Sequence, residues 1–374
     1  MVLPLLPAFL AALGAGAFAL GWIEGLAEAV ASVLKLASGR WADRLGRSRP
    51  FVVAGYSLSS LVRPLVALAA ASWHVLAVRV VDRVGKGLRT SPRDALIAAS
   101  VDPADRGAAF GLHRAMDHTG AVLGPLLAAA FLTFWSSDLR SLFWLTAIPD
   151  AGVILLVALG VREAPAAAAA ATAPAPSATP GPAARPRRAL ATVLVPVGIF
   201  TLGNASDVFL LLKAGAVHAP LVSLPLLWMG LHVVKALLSV PGGRLADRWG
   251  RRRTIALGWL VYAAVYLGFA FAQTRAAVVG LFLVYGAYHG LAEGPEKALV
   301  ADLAPRGRGG TTFGWFHLTQ GLLALAASVL FGSLWEWAGS AAAFITSAAL
   351  AAVAVVLLGV LGRQRAPASQ PHSR

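Results

Sequence analysis

The sequence contains no cysteine among its 374 residues, which excludes a disulfide framework and any cysteine-based metal site. Charge is scarce too. Asp, Glu, Lys and Arg together make up 13% of the chain, whereas a soluble globular protein carries roughly 25%. So few charges cannot cover a water-facing surface. Acidic residues are the scarcest, 17 against 32 basic, for a net charge of +15. Alternation of apolar and polar residues over strand-length segments is missing, which argues against barrel strands. Enzyme signatures are absent as well: there is no H-E-x-x-H, no G-x-S-x-G, no G-x-x-x-x-G-K-[ST] and no Asp-rich metal loop. Gly85-Lys86-Gly87 lacks the rest of a phosphate loop. The expectation is a non-enzyme with no cofactor and no metal.

Long apolar runs fill the space that these absences leave. Hydrophobic residues are 58% of the chain and the mean hydropathy is +0.71. Phe51–Ala71, Ser141–Val161, Leu190–Leu212, Ile255–Ala272, Ala276–Ala292 and Ala341–Leu361 are such runs. A spanning helix needs about 20 predominantly apolar residues, and only helices or closed barrels satisfy their backbone in lipid. The sequence therefore predicts an all-α polytopic membrane protein. Its basic residues fall in alternate short loops, as the positive-inside rule requires. Arg40, Arg44, Arg47 and Arg49 share one loop, and Arg244, Arg248, Arg251, Arg252 and Arg253 another. This distribution explains the positive charge without nucleic acid. It puts these loops and the C-terminus on the cytoplasmic side of the cytoplasmic membrane, with the lipid bilayer as the chain's main partner.

The chain repeats itself. Gly39-Arg40-Trp41-Ala42-Asp43-Arg44-Leu45-Gly46-Arg47 recurs as Gly243-Arg244-Leu245-Ala246-Asp247-Arg248-Trp249-Gly250-Arg251, an offset of 204. Pro92-Arg93-Asp94-Ala95-Leu96 aligns with Pro295-Glu296-Lys297-Ala298-Leu299, and Phe110-Gly111 with Phe313-Gly314, both at 203. Each half is thus one copy of a helical unit. Between the copies, residues 164–188 are rich in Ala and Pro and end in arginines, the composition of a flexible linker. The expected organisation is an N-terminal bundle over 1–163, the linker, a six-helix C-terminal bundle over 189–362 and a basic tail over 363–374. Second-half helices are expected near 190–213, 220–241, 254–273, 275–303, 311–333 and 340–362. In the first half they are expected near 17–38, 51–71, 73–97, 107–134 and 141–161, after a stub.

Two similar halves, a basic central linker and a G-R-x-A-D-R-x-G-R loop in each half resemble the major facilitator superfamily. More narrowly, Asp82–Ala98 is similar to a segment of bacterial members regarded as efflux carriers. The resemblance implies two six-helix bundles rocking about a central cavity, with a small-molecule substrate and a monomeric carrier. It also exposes a departure. Met1 aligns with Ala205, so Ala189–Asn204 have no partner in the first half, and the first helix is expected to lack its cytoplasmic half.

Within this frame the candidate residues fall into four groups. In the loop signature, Gly39 and Gly46 are expected to permit tight turns, while Asp43 pairs with arginines or accepts from a helix N-terminus. Gly243, Asp247 and Gly250 repeat this in the second copy. Arg79, Asp82, Arg83 and Lys86 form one helical stripe, and ionisable groups at membrane depth usually face a cavity or a partner. Arg79, Asp82 and Arg83 are expected at a cavity, with Tyr285 and Glu293 contributed by the second copy. Asp207, mid-helix among apolar residues, and Asp117 with His118 are expected to couple protons. Arg93 and Asp94 carry charges opposite to their counterparts Glu296 and Lys297, which marks the four as a gate. With no nucleotide site, the energy source is expected to be a proton gradient. The expected function is proton-coupled efflux of drug-like or metabolite molecules. The alternative is a facilitator or importer of an anionic or metal-chelate substrate, suggested by the cationic stripe.

Overall fold

Among the residues that the computed structural model describes (9, 17–163, 184–216 and 223–363) the secondary structure is helical, with no strand. The first copy supplies α1 (Ala17–Leu45), α2 (Arg49–Val62, continued by a 3-10 turn Arg63–Leu68), α3 (Ser72–Ala99), α4 (Arg106–Phe134), α5 (Leu139–Leu145) and α6 (Ala147–Gly160). The second supplies α7 (Ala184–Gly203), α8 (Val208–Ala216), α9 (Ser223–Trp249), α10 (Arg251–Phe271), α11 (Arg275–Asp302) and α12 (Gly309–Arg363). The all-helical, multi-pass expectation holds. Eight described segments are long and apolar enough to cross a bilayer. Leu155, Leu156 and Leu159 on α6 are all exposed, as residues facing lipid tails are.

Several boundaries differ from expectation for identifiable reasons. Gly309–Arg363 holds two arms that meet at Gly339, whose φ of 85° and ψ of 165° only glycine adopts without strain. The run predicted at 190–213 is interrupted between Gly203 and Val208. Asn204, Ser206 and Asp207 fall in that gap, and short polar side chains draw backbone hydrogen bonds away from a helix. The last five residues of the predicted linker, 184–188, are helical, because α7 begins at Ala184. The proposed shortening of the first helix, most of the linker and the tail beyond Arg363 lie outside the described residues.

Two groups of elements pack separately. One gathers the described residues of Met1–Pro103, Thr119–Ala175 and Ala304–Leu322; the other gathers those of Ala104–His118, Pro176–Leu303 and Leu323–Arg374. In the first group α3 packs on α1 and α2, and α2 on α6. Ser38 Oγ donates to the Gly87 carbonyl at 2.8 Å, and a Cβ on Gly87 would stand 2.6 Å from Leu34 Cβ, so α1 and α3 touch backbone to backbone. A small apolar cluster of Phe9, Val66, Val75 and Phe143 fills the opposite end. Arg140 clamps it by donating to the Ala67 and Ala69 carbonyls at 2.6 and 2.8 Å.

In the second group α11 packs on α9 and α10. Its core is aromatic. Trp259, Tyr262, Tyr266, Phe269, Tyr285 and Phe344 are all buried, with the Tyr262 and Tyr266 rings stacked at 4.0 Å between centroids. Each group thus takes in the start of one helix from the opposite copy, α12 in the first and α4 in the second. That exchange places the signature residues.

Candidate functional site

The signature glycines divide into two roles. Gly46 and Gly250, at φ 61° and 104°, are the breaks after α1 and α9. Gly39 and Gly243, expected at turns, lie inside α1 and α9 instead. They are small because another backbone passes against them. A Cβ on Gly310 would meet the Gly39 carbonyl oxygen at 2.5 Å, and one on Gly243 would lie 2.7 Å from the Gly107 carbonyl carbon. This approach brings each signature aspartate to a helix N-terminus, where unpaired amides and the helix dipole favour an anion. Gly310 N and Thr311 N donate to the two Asp43 oxygens at 2.9 and 2.6 Å. Gly107 N and Ala108 N donate to the Asp247 oxygens at 2.9 and 2.8 Å. Gly107 and Gly310 are equivalent at the 203-residue offset, so the motif makes the same contact twice. Arg251 reinforces the second by pairing with Asp302 and lying 3.7 Å from Asp247. Arg40 lies over the Trp315 ring at 5.3 Å. Arg44, Arg47, Arg244 and Arg248 are exposed.

In the first group the charged stripe of α3 is shared between two carboxylates. Asp82, its side chain 4% exposed, accepts from Arg63 Nε at 2.9 Å and has Arg79 at 3.6 Å and Arg83 at 4.0 Å. Arg63 also reaches Asp150 at 3.6 Å. Glu28 on α1 collects Lys35 at 3.0 Å, Lys86 at 3.2 Å and Arg83 at 3.5 Å. The sequence reading found Arg79, Asp82 and Arg83 but missed Arg63 and Asp150. Each interrupts an apolar run, which is the signal that marks functional ionisable groups at membrane depth.

The second group holds a longer polar chain. Asp207 is neither mid-helix nor alone, contrary to expectation: it sits in the gap between α7 and α8. Tyr285 Oη donates to its Oδ1 at 2.6 Å and Lys235 Nζ to its Oδ2 at 3.2 Å. Asn204 in the same gap donates to Tyr288 Oη at 2.8 Å. One helical turn along α11 from Tyr285, the His289 ring meets Tyr285 edge-on at 5.0 Å and bonds Glu293 through Nδ1 at 3.0 Å. Glu293 also takes His118 Nε2 at 3.3 Å and Arg114 Nε at 3.2 Å. The other His118 nitrogen lies 3.3 Å from His232 Nδ1. Asp117 is the outermost member, half-exposed, with Arg114 at 3.3 Å and His113 at 3.7 Å. Tyr285, Glu293, Asp207, Asp117 and His118, separate in the sequence reading, thus belong to one neighbourhood. Lys235, His232, His289 and Arg114 are members that it did not mark as site residues. Lys235 is the one lysine of α9, and that isolation was the available signal.

The four residues marked as a gate have these partners. Arg93 donates to Asp94 Oδ1 at 2.9 Å, and Asp94, fully buried, also meets His317 Nε2 at 2.9 Å. Glu296 accepts from Trp259 Nε1 at 2.9 Å, and Lys297 lies 5.9 Å from the centre of the Phe110 ring.

Comparison with known proteins agrees with this architecture. The family model described as Major Facilitator Superfamily matches residues 1–233 and 189–374. An uncharacterized MFS-type transporter of Methanocaldococcus jannaschii is 30% identical over 347 residues, which cover 90% of this chain and 84% of the relative. Multidrug resistance protein MdtH of Cronobacter sakazakii is 26% identical, over 95% of this chain and 85% of its own length. The crystal structure of the human organic anion transporter MFSD10 (TETRAN) superposes with a TM-score of 0.75 at 17% identity, over 90% of this chain and 83% of that one. By family model, by relatives and by a doubled helical unit with its signature in each copy, the chain belongs to the major facilitator superfamily.

Proposed function

We propose that this transporter is a monomeric, proton-coupled exporter of small drug-like or metabolite molecules in the cytoplasmic membrane, working by alternating access. The basic loops and the C-terminus lie on the cytoplasmic side, as loop charge dictates. The observation that carries the coupling is Asp207, held between Lys235 and Tyr285 at a break in a membrane helix. A proton delivered to Asp207 removes the charge that holds Lys235 and so frees α9 from the break between α7 and α8. His289, Glu293, His118 and His232 extend from it as a connected set of polar partners. Efflux is the direction supported by the relative named as a multidrug resistance protein. Arg93, Asp94, Glu296 and Lys297 are retained as gate residues on the strength of their opposite charges at equivalent positions. The test is transport in proteoliposomes under an imposed pH gradient, against a compound panel. Asp207→Asn should abolish pH-driven transport while leaving membrane insertion intact, and undiminished transport removes Asp207 from the mechanism.

A second reading, that the substrate is anionic, is favoured by a separate observation. Lys35, Arg83 and Lys86 all converge on one carboxylate, Glu28.

A further inference from the structure

Glu28 and Lys86, with side chains 40% and 35% exposed, are the accessible members of their cluster, and Lys35 and Arg83, 8% and 15% exposed, lie beneath them. Among the described residues the two lysines have one ion-pair partner, Glu28, and within that set two ammonium groups meet one carboxylate. Bringing two cations together at membrane depth is costly unless an anion answers them. Their spacing is also preset. Glu28 and Lys35 stand two turns apart on α1, while Arg83 and Lys86 stand one turn apart on α3. The two helices are locked at van der Waals contact by Gly87 and by the bond from Ser38 to its carbonyl. A guanidinium and two ammonium groups held in this way suit a carboxylate, and a carboxylate is what Glu28 presents to them.

We propose that Lys35, Arg83 and Lys86 form a binding site for the carboxylate of an anionic substrate, which Glu28 occupies as a tethered stand-in until the substrate displaces it. The proposal rests on the anionic-substrate reading and deepens it. Displacement has a functional consequence. The cations stay paired whether the site is full or empty: an incoming carboxylate takes over the pairing, adds one negative charge to a cluster that carries an excess of two positive ones, and leaves Glu28 to turn toward the side on which it is already 40% exposed. A tethered competitor acts at a high effective concentration and weakens binding of the free ligand accordingly.

The test is binding, not transport, so that failure of proton coupling and failure of this site can be told apart. Full-length protein in nanodiscs is titrated with 4-fluorobenzoate and followed by fluorine NMR, with tetraphenylphosphonium as a cationic probe. Glu28→Gln should tighten 4-fluorobenzoate at least about tenfold by removing the competitor. Glu28→Asp, which keeps the charge but shortens the reach, should fall between it and wild type. Lys86→Gln, at a partly exposed position, should lose the binding while the protein still inserts. The proposal is overturned if Glu28→Gln binds 4-fluorobenzoate no more tightly than wild type, if Glu28→Asp matches wild type, or if binding survives Lys86→Gln. It is equally overturned if tetraphenylphosphonium binds wild type and loses affinity in Glu28→Gln, since Glu28 is then the anchor of a cationic ligand.

Discussion

The two copies place the same backbone frame around different chemistry, and the contrast can be followed position by position. At the repeat offsets Leu34 corresponds to Leu238 and Gly87 to Gly290. A Cβ on Gly87 would meet Leu34 Cβ at 2.6 Å, and one on Gly290 would meet Leu238 Cβ at 2.7 Å, so each copy closes its helix pair at the same place. The functional side chains stand at matching positions but differ in kind. Glu28 corresponds to His232, Lys86 to His289, Asp82 to Tyr285 and Arg79 to Phe282. The first copy carries fixed charges, two carboxylates collecting lysines and arginines. The second carries imidazoles and phenols around Asp207 and Glu293. Fixed charges of both signs pair with one another, whereas imidazoles and phenols offer hydrogen bonds to a carboxylate. The same frame thus carries an ion-pair cluster in one copy and a hydrogen-bonded aromatic cluster in the other.

The largest expected effect tests whether the first copy depends on its charges. Asp82→Ala removes the carboxylate that Arg63 and Arg79 face, and breaking a buried pair costs about 3–5 kcal/mol. The matching change in the second copy, Tyr285→Phe, deletes one hydrogen bond to Asp207, worth about 1.5–3 kcal/mol for a charged acceptor. Thermal unfolding in detergent should therefore show the larger drop for Asp82→Ala. Equal drops would mean that the two copies do not differ in how their polar groups are held.

An intermediate effect is expected where the copies agree. Asp43 and Asp247 each accept two helix N-terminal amides, so Asp43→Asn and Asp247→Asn should cost similar amounts, about 1.5–3 kcal/mol each. The change also exposes the end of the helix that each one holds. Thr312 is buried beside the Asp43 contact, and the chain has no native cysteine to confuse labelling. Maleimide should react with Thr312→Cys about tenfold faster for each 1.4 kcal/mol lost when Asp43→Asn is added. An unchanged rate would show that this contact does not hold the helix start in place.

What was legible in the sequence follows from what repeats there. The doubled signature, the matched Pro92 and Pro295 and the length of the apolar runs are local patterns, and they gave the helical, multi-pass, two-copy organisation. Asp43 was read as a possible acceptor for a helix N-terminus, yet the partner Gly310 was not foreseeable, since 267 residues separate them. Gly39 was misassigned to a turn because a glycine that admits another backbone looks the same in sequence as one that bends its own. The break at Asp207 was hidden in an apolar run, where three short polar residues outweigh hydropathy. Its pairing with Lys235 depends on how α9 packs, which no local pattern encodes.

The smallest effect belongs to an aspartate that caps its own helix. Asp138 lies in the loop before α5, where Ser141 Oγ donates to its carboxylate at 2.7 Å, Ser141 N at 2.9 Å and Arg140 N at 3.1 Å. The Ser141 hydroxyl, followed by the Ser141 and Arg140 amides, holds this carboxyl below its usual range. The interaction is local and fully solvated, so Asp138→Ala should lower the unfolding midpoint less than Asp247→Asn and leave transport unaltered. The pH dependence has a definite sign. A depressed folded value means that the carboxylate's contribution is complete above the ordinary aspartate value of about 3.9 and is lost as pH falls through the folded one. The gap in midpoint between wild type and Asp138→Ala should therefore stay constant from pH 8 to pH 5 and close only below about pH 4. A gap that already changes between pH 7 and pH 6 would place an imidazole, not a carboxylate, in control of this corner.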